Sequence, residues 1–152
     1  MLNPHPPLSG FPIVLVCTLA LLEAIRARSK NPADWQRTLS FVVLLLMTFV
    51  PLTYFSGYFG ADYAHSQFTV PDEAILQHQL WAKCALFISI GMTLIYVLAF
   101  VAEKEKPHVA KLLLRVYRIF LICLLAVLIR TGFLGGNLVF SHGAGVHVEQ
   151  AP

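Results

Sequence analysis

A chain of 152 residues that is 57% hydrophobic and only 12% charged does not have the composition of a soluble domain, in which roughly a quarter of the residues are charged. Eleven Lys and Arg against eight Asp and Glu give a formal net charge of +3, a small excess compatible with an anionic partner, although no nucleic acid is expected. Placement along the chain says more than the total.

The first apolar segment, near 9–28, reads "GFPIVLVCTLALLEAI". No basic stretch precedes it and no small-residue cleavage pattern follows, so it is expected to be a retained membrane helix rather than a signal peptide. Glu23 lies close to Arg26 and is expected to be a plain interface residue. The linker "RARSKNPADWQR" then brings Arg26, Arg28, Lys30 and Arg37.

A second span is expected near 37–59. Pro51 interrupts it, with Thr48, Thr53 and Ser56 at hand to satisfy carbonyls that a proline leaves unpaired. A kink there would widen a pocket lined by Tyr54 and Tyr58, although aromatics at a membrane boundary also serve as simple anchors. The loop "ADYAHSQFTVPDEAILQ" contains no Lys or Arg.

The third span is expected near 76–101 and the fourth near 111–134, each long enough for the ~20 residues a bilayer requires. Between them "EKEKPHVAKLLLRVYR" carries Lys104, Lys106, Lys111, Arg115 and Arg118. Nine of the eleven basic residues therefore fall on one side. The positive-inside bias puts both termini and the 60–77 loop outside the cytoplasm, with 135–152 as an extracytoplasmic tail. Cys17, Cys84 and Cys123 all fall inside apolar spans and read as small packing residues. There is no Cys-x-x-Cys-His, which excludes a covalently attached c-type haem.

The chain repeats itself. "YFSGYFG" closes the second span and "IRTGFLGG" the fourth, so that Ser56-Gly57-Tyr58-Phe59-Gly60 matches Thr131-Gly132-Phe133-Leu134-Gly135 at an offset of 75. Histidines follow: His5 and His78 open the first and third spans, while His65 and His142 lie just after the second and fourth. Two parallel hairpins would bring these four imidazoles to one end of a four-helix bundle. Of the six histidines only His108 lies on the basic side.

Imidazole is a common axial ligand for haem iron, and facing helices build flat slots for such groups. His78 is the first candidate, with the apolar run beginning just inside it, and His142 is its expected partner across the slot. His5, stiffened by Pro4, Pro6 and Pro7, is a further candidate, as is His65. Lys83 and Arg130 break the outer halves of the third and fourth spans, where an unpaired charge is costly. They would either neutralise an anionic group, such as haem propionates or a quinone-like head group, or snorkel to the interface or pair with Asp62, Asp72 or Glu73. His142 and His147 form a second, sparse candidate for copper or zinc. Gly-x-Ser-x-Gly, a Walker loop, a dinucleotide glycine triplet and His-Glu-x-x-His are all missing from the sequence, so hydrolase, NTPase, dinucleotide and zincin readings have no foothold, and an electron-transfer or accessory subunit is expected ahead of a catalyst.

The opening "HPPLSGFPIVL" and the ending "GFLGGNLVFSHGAGV" resemble the start and finish of the DUF2231 family of bacterial four-helix membrane proteins. "GYFGAD" and the histidine opening the third span also fit. Positions that match the family pattern are His5, Asp62, His78, Gly135, Gly136, His142 and Gly145. Gly10 stands where the family has a second N-terminal histidine, so a ligand used there would be lost in this chain. The resemblance implies a bacterial inner-membrane location and a haem-carrying or electron-transfer role.

The expectation is therefore an all-α, four-helix transmembrane bundle built from two similar hairpins, with haem b held near the extracytoplasmic side. Its partners would be membrane lipid and either a larger membrane complex or a periplasmic cytochrome. The competing expectations are a non-redox accessory subunit of a larger complex and an extracytoplasmic metal-binding membrane protein.

Overall fold

A computed structural model describes residues 5–67 and 70–144, and of 62–67 the backbone alone. The protein is an all-α four-helix bundle. A short helix α1 (His5–Leu8) leads into α2 (Gly10–Arg28), followed by a 3₁₀ turn at Pro32–Trp35. The long helices α3 (Gln36–Gln67), α4 (Asp72–Ala102) and α5 (Pro107–His142) complete the chain. Four helices, taking α1 and α2 as one, are long and apolar enough to cross a membrane. This is the architecture of a multi-pass membrane protein.

Helices α3, α4 and α5 are longer than their apolar runs predict, whereas α2 keeps the expected bounds. α4 starts at Asp72-Glu73, straight after Pro71, where two carboxylates meet the positive end of the helix dipole,. α5 starts with Pro107, whose missing N–H costs nothing in a first turn,. It then runs through Gly135 and Gly136 to His142, so 135–142 is helix rather than tail. Gly143 stops it in the left-handed region at φ 68°, and the amides of Gly143 and Ala144 return to the carbonyls of Val139 and Leu138,. Helix α3 continues through Pro51. The Thr48 hydroxyl bonds the Leu44 carbonyl and Ser56 the Thr53 carbonyl, while Thr53 reaches across to α1.

The helices close into a ring in which α2 touches α3 and α5, α3 touches α4, and α4 lies along α5 over the widest contact. Helix α1 rests on α3. Val16, Leu19, Leu39, Leu46, Met92, Tyr117 and Leu124 are fully buried at the centre. Around them Phe59, Ile122 and Phe133 are two-thirds exposed or more, as expected of faces that meet lipid instead of water,. All three cysteines are on this outer surface rather than in the core. Lipid is as apolar as a core, so an apolar neighbourhood in sequence does not tell packing from lipid contact.

Candidate functional site

At the end of the bundle opposite the basic linkers, two histidines meet. The rings of His5 and His78 have centroids 6.2 Å apart and planes at 77°. Each ring belongs to one hairpin and lies on the second helix of that hairpin. His5 Nδ1 is 3.1 Å from the Thr53 carbonyl and 3.1 Å from Ser56 Oγ. The Ser56 hydroxyl donates its own proton to Thr53 O at 2.8 Å. Nδ1–H is therefore the donor, shared between two oxygens. His78 Nδ1 is likewise 3.1 Å from the Thr131 carbonyl. In both rings this tautomer leaves the lone pair on Nε2.

The approach depends on two glycines. A helical side chain leans over the turn that precedes it, so the residue at i+4 normally covers the carbonyl of residue i. Gly57 bares Thr53 O in this way, and Gly135 bares Thr131 O. A Cβ on Gly57 would lie 2.7 Å from His5 Cε1, and one on Gly135 would lie 3.0 Å from His78 Cε1. The structural repeat is thus Thr53-Tyr54-Phe55-Ser56-Gly57 on Thr131-Gly132-Phe133-Leu134-Gly135, Thr-x-Phe-x-Gly at an offset of 78 (53 to 131, 57 to 135). The offset of 75, which matches Ser56-Gly57-Tyr58-Phe59-Gly60 to Thr131-Gly132-Phe133-Leu134-Gly135, does not pair the residues that meet the two rings.

Prolines fix the strand of chain that carries His5. Pro6 and Pro7 occupy the first turn of α1, where their missing N–H groups are no loss,. Pro12 has no N–H for the Leu8 carbonyl one turn back, and the Thr53 hydroxyl supplies that hydrogen bond at 3.2 Å. Ser9, in helical conformation at the junction, bonds Pro6 O through its hydroxyl at 2.8 Å.

The remaining predicted residues lie apart from this pair. The expected partnership of His78 with His142 is not the one formed. His142, at the last turn of α5, is about 10 Å of helix rise beyond Gly135. It lines a shallow groove with Pro71, Glu73, Ala74, Gln77, Leu134 and Asn137. Lys83 and Arg130 are exposed on the outer faces of their helices and not aimed into the bundle. The Arg130 guanidinium lies over Trp81 at 6.0 Å and over Phe133 at 5.7 Å, aromatic faces that a cation favours,. Tyr54 and Tyr58 stack on each other at 6.5 Å, Tyr54 half-buried against the core and Tyr58 exposed on the outer surface. The side chains of Asp62 and His65, and Gly145 and His147 altogether, lie outside the described residues. Among the described residues no three His, Cys, Asp or Glu side chains gather as a metal site.

Sequence reading missed a second polar cluster, at the basic end. Glu23 is not an interface residue: it is 6% exposed, and its Oε2 takes Arg26 at 3.2 Å and Arg118 Nε at 3.3 Å. Beside it Tyr96 receives a hydrogen bond from Gln36 at 3.0 Å and lies 3.1 Å from Ser40 Oγ. The rings of Tyr96 and Tyr117 are 5.2 Å apart. All four long helices contribute. The signal available in the sequence was a lone acid within an apolar span, which in a membrane calls for a partner.

No family model, no curated protein and no solved structure matches the chain.

Proposed function

We propose that this protein is a b-type cytochrome-like membrane electron-transfer subunit whose haem ligands are His5 and His78. The observation that carries the reading is the paired geometry of the two rings. Each has Nδ1–H held by a helix carbonyl, the arrangement that orients a ligating imidazole and raises the basicity of its other nitrogen. The two rings, 6.2 Å apart, are close enough to serve one group together, and imidazole is a donor that haem iron would take. His5 and His78 would hold the haem.

Bound haem would supply reversible one-electron transfer. The chain's own residues do the rest: Thr53 and Thr131 fix the tautomers, Ser56 shares the His5 proton, and the two glycines let the rings seat. The positive-inside bias of the α2–α3 and α4–α5 linkers supports a cytoplasmic location for their end, and the histidine end would then face the periplasmic side of a bacterial inner membrane. There the acceptor or donor would be a periplasmic cytochrome or a larger membrane complex. Membership of the DUF2231 family belongs to the same proposal.

The test is a reduced-minus-oxidised visible spectrum of the purified protein. Paired α and Soret bands are expected, absent in His5→Ala and in His78→Ala and retained in His142→Ala. The competing reading, a non-redox accessory subunit, takes the same two rings as hydrogen-bonding rivets between helices. It predicts colourless protein in which His78→Ala loses stability and nothing else.

A further inference from the structure

At the basic end two polar atoms are sealed from solvent with no hydrogen-bond partner among the described residues: Glu23 Oε1 and Tyr117 Oη. Tyr117 is 0% exposed and Glu23 6%. They belong to one neighbourhood. Arg118, the residue after Tyr117, bonds the other oxygen of the same carboxylate, and Tyr117 lies within electrostatic reach of Glu23, Arg26 and Arg118. The neighbouring phenol, Tyr96, has its oxygen engaged by Gln36 and Ser40. An unpaired carboxylate oxygen and an unpaired hydroxyl so deep in an apolar bundle each carry the full cost of lost hydration. Buried atoms of this kind are the ones ordered water serves, typically with about three hydrogen bonds.

We infer that the basic end of the bundle holds an internal water molecule, bound between the Glu23 carboxylate and the Tyr117 hydroxyl. Glu23 Oε1 accepts a hydrogen bond from it, and Tyr117 Oη supplies the second contact. The site draws its walls from α2 and α5, with the Tyr96 ring of α4 packed against Tyr117. It makes the two ends of the protein different in kind, since the histidine pair is satisfied by backbone carbonyls and the Glu23–Tyr117 pair by solvent carried inside.

Hydroxyl-radical footprinting by X-ray radiolysis tests this on the full chain in lipid nanodiscs, because a trapped water is activated where it sits and labels the side chain it touches. Tyr117 is expected to be hydroxylated at a rate within a few-fold of exposed Tyr58. Met92, fully buried and intrinsically more reactive toward radicals, is expected to stay unmodified. A Tyr117 as silent as Met92, or a Met92 labelled as fast as Tyr117, would overturn the inference. The sign of a second measurement bears on it independently. Tyr117→Phe removes a water-bound hydroxyl and is expected to lower Tm by about 2 to 4 °C. A rise in Tm would show that the hydroxyl was an unsatisfied burden, and the water would have to be given up. Silence at Tyr117 together with a lower Tm in the variant would mean a direct Glu23–Tyr117 bond, which also overturns it.

Discussion

The two ends of this bundle solve one problem, the joining of helices through polar groups in an apolar setting, by opposite means. At the histidine end the joints are neutral: imidazole N–H to carbonyl, hydroxyl to carbonyl, with glycines making room. At the basic end the joint is ionic, one buried carboxylate between two guanidiniums, with phenols packed beside it. The difference teaches where function is expected. Imidazoles oriented through Nδ1 are of the donor type that the proposed ligand role asks for, whereas a carboxylate clamped by two arginines is committed to holding the fold.

That contrast can be broken by mutation, and the largest effect is expected at the ionic end. Glu23→Ala strands Arg26 as a buried charge, 7% exposed, and should cost about 3 to 5 kcal/mol in unfolding free energy. Arg118→Ala, whose side chain is 45% exposed, should cost about 1 kcal/mol or less. If denaturation of the two variants gave equal losses, the cluster would not be organised around Glu23.

At the neutral end the glycines come next. Gly57→Ala forces its methyl against His5 at 2.7 Å and should cost roughly 1 to 3 kcal/mol as overpacking, together with most of any haem absorbance. Gly135→Ala meets His78 at 3.0 Å and should fall at the low end of that range. Equal absorbance in both variants and the parent protein would separate the glycines from ligand seating. Thr53→Val leaves the Leu8 carbonyl without its donor and should cost about 1 kcal/mol. Smallest is Arg130→Ala, which loses only an exposed cation–π contact, about 0.5 to 1 kcal/mol. Its spectrum should match that of the unaltered protein, which would take Arg130 out of the site.

Much of the architecture was legible because a membrane makes it so. Spans of apolar residues, two basic linkers on one side and the recurrence of glycine and histidine were enough to predict a four-helix bundle with its histidines at one end. His5 and His78 were both candidates. Their pairing was not readable, since the glycine repeat admits two registers and only one of them sets a bared carbonyl against each ring. His142 looked close to the end of its span because "GGNLVFSH" reads as a loop, whereas α5 carries it two turns beyond the site. Glu23 was misjudged for a related reason, since a linear chain does not show that Arg118, 95 residues away, comes back to meet it.

The amino-acid sequence by itself understated the lengths of α3, α4 and α5 but was enough for four apolar helices and for which end carries the basic linkers. These are consequences of local hydropathy and charge, properties of each segment taken alone. The tertiary structure alone decided which polar groups meet: His5 with Thr53, His78 with Thr131, Glu23 with Arg118. In an apolar medium every face of a helix is equally greasy, so periodicity does not say which side turns inward. That choice falls to the few residues whose hydrogen bonds and charges must find a partner on another helix.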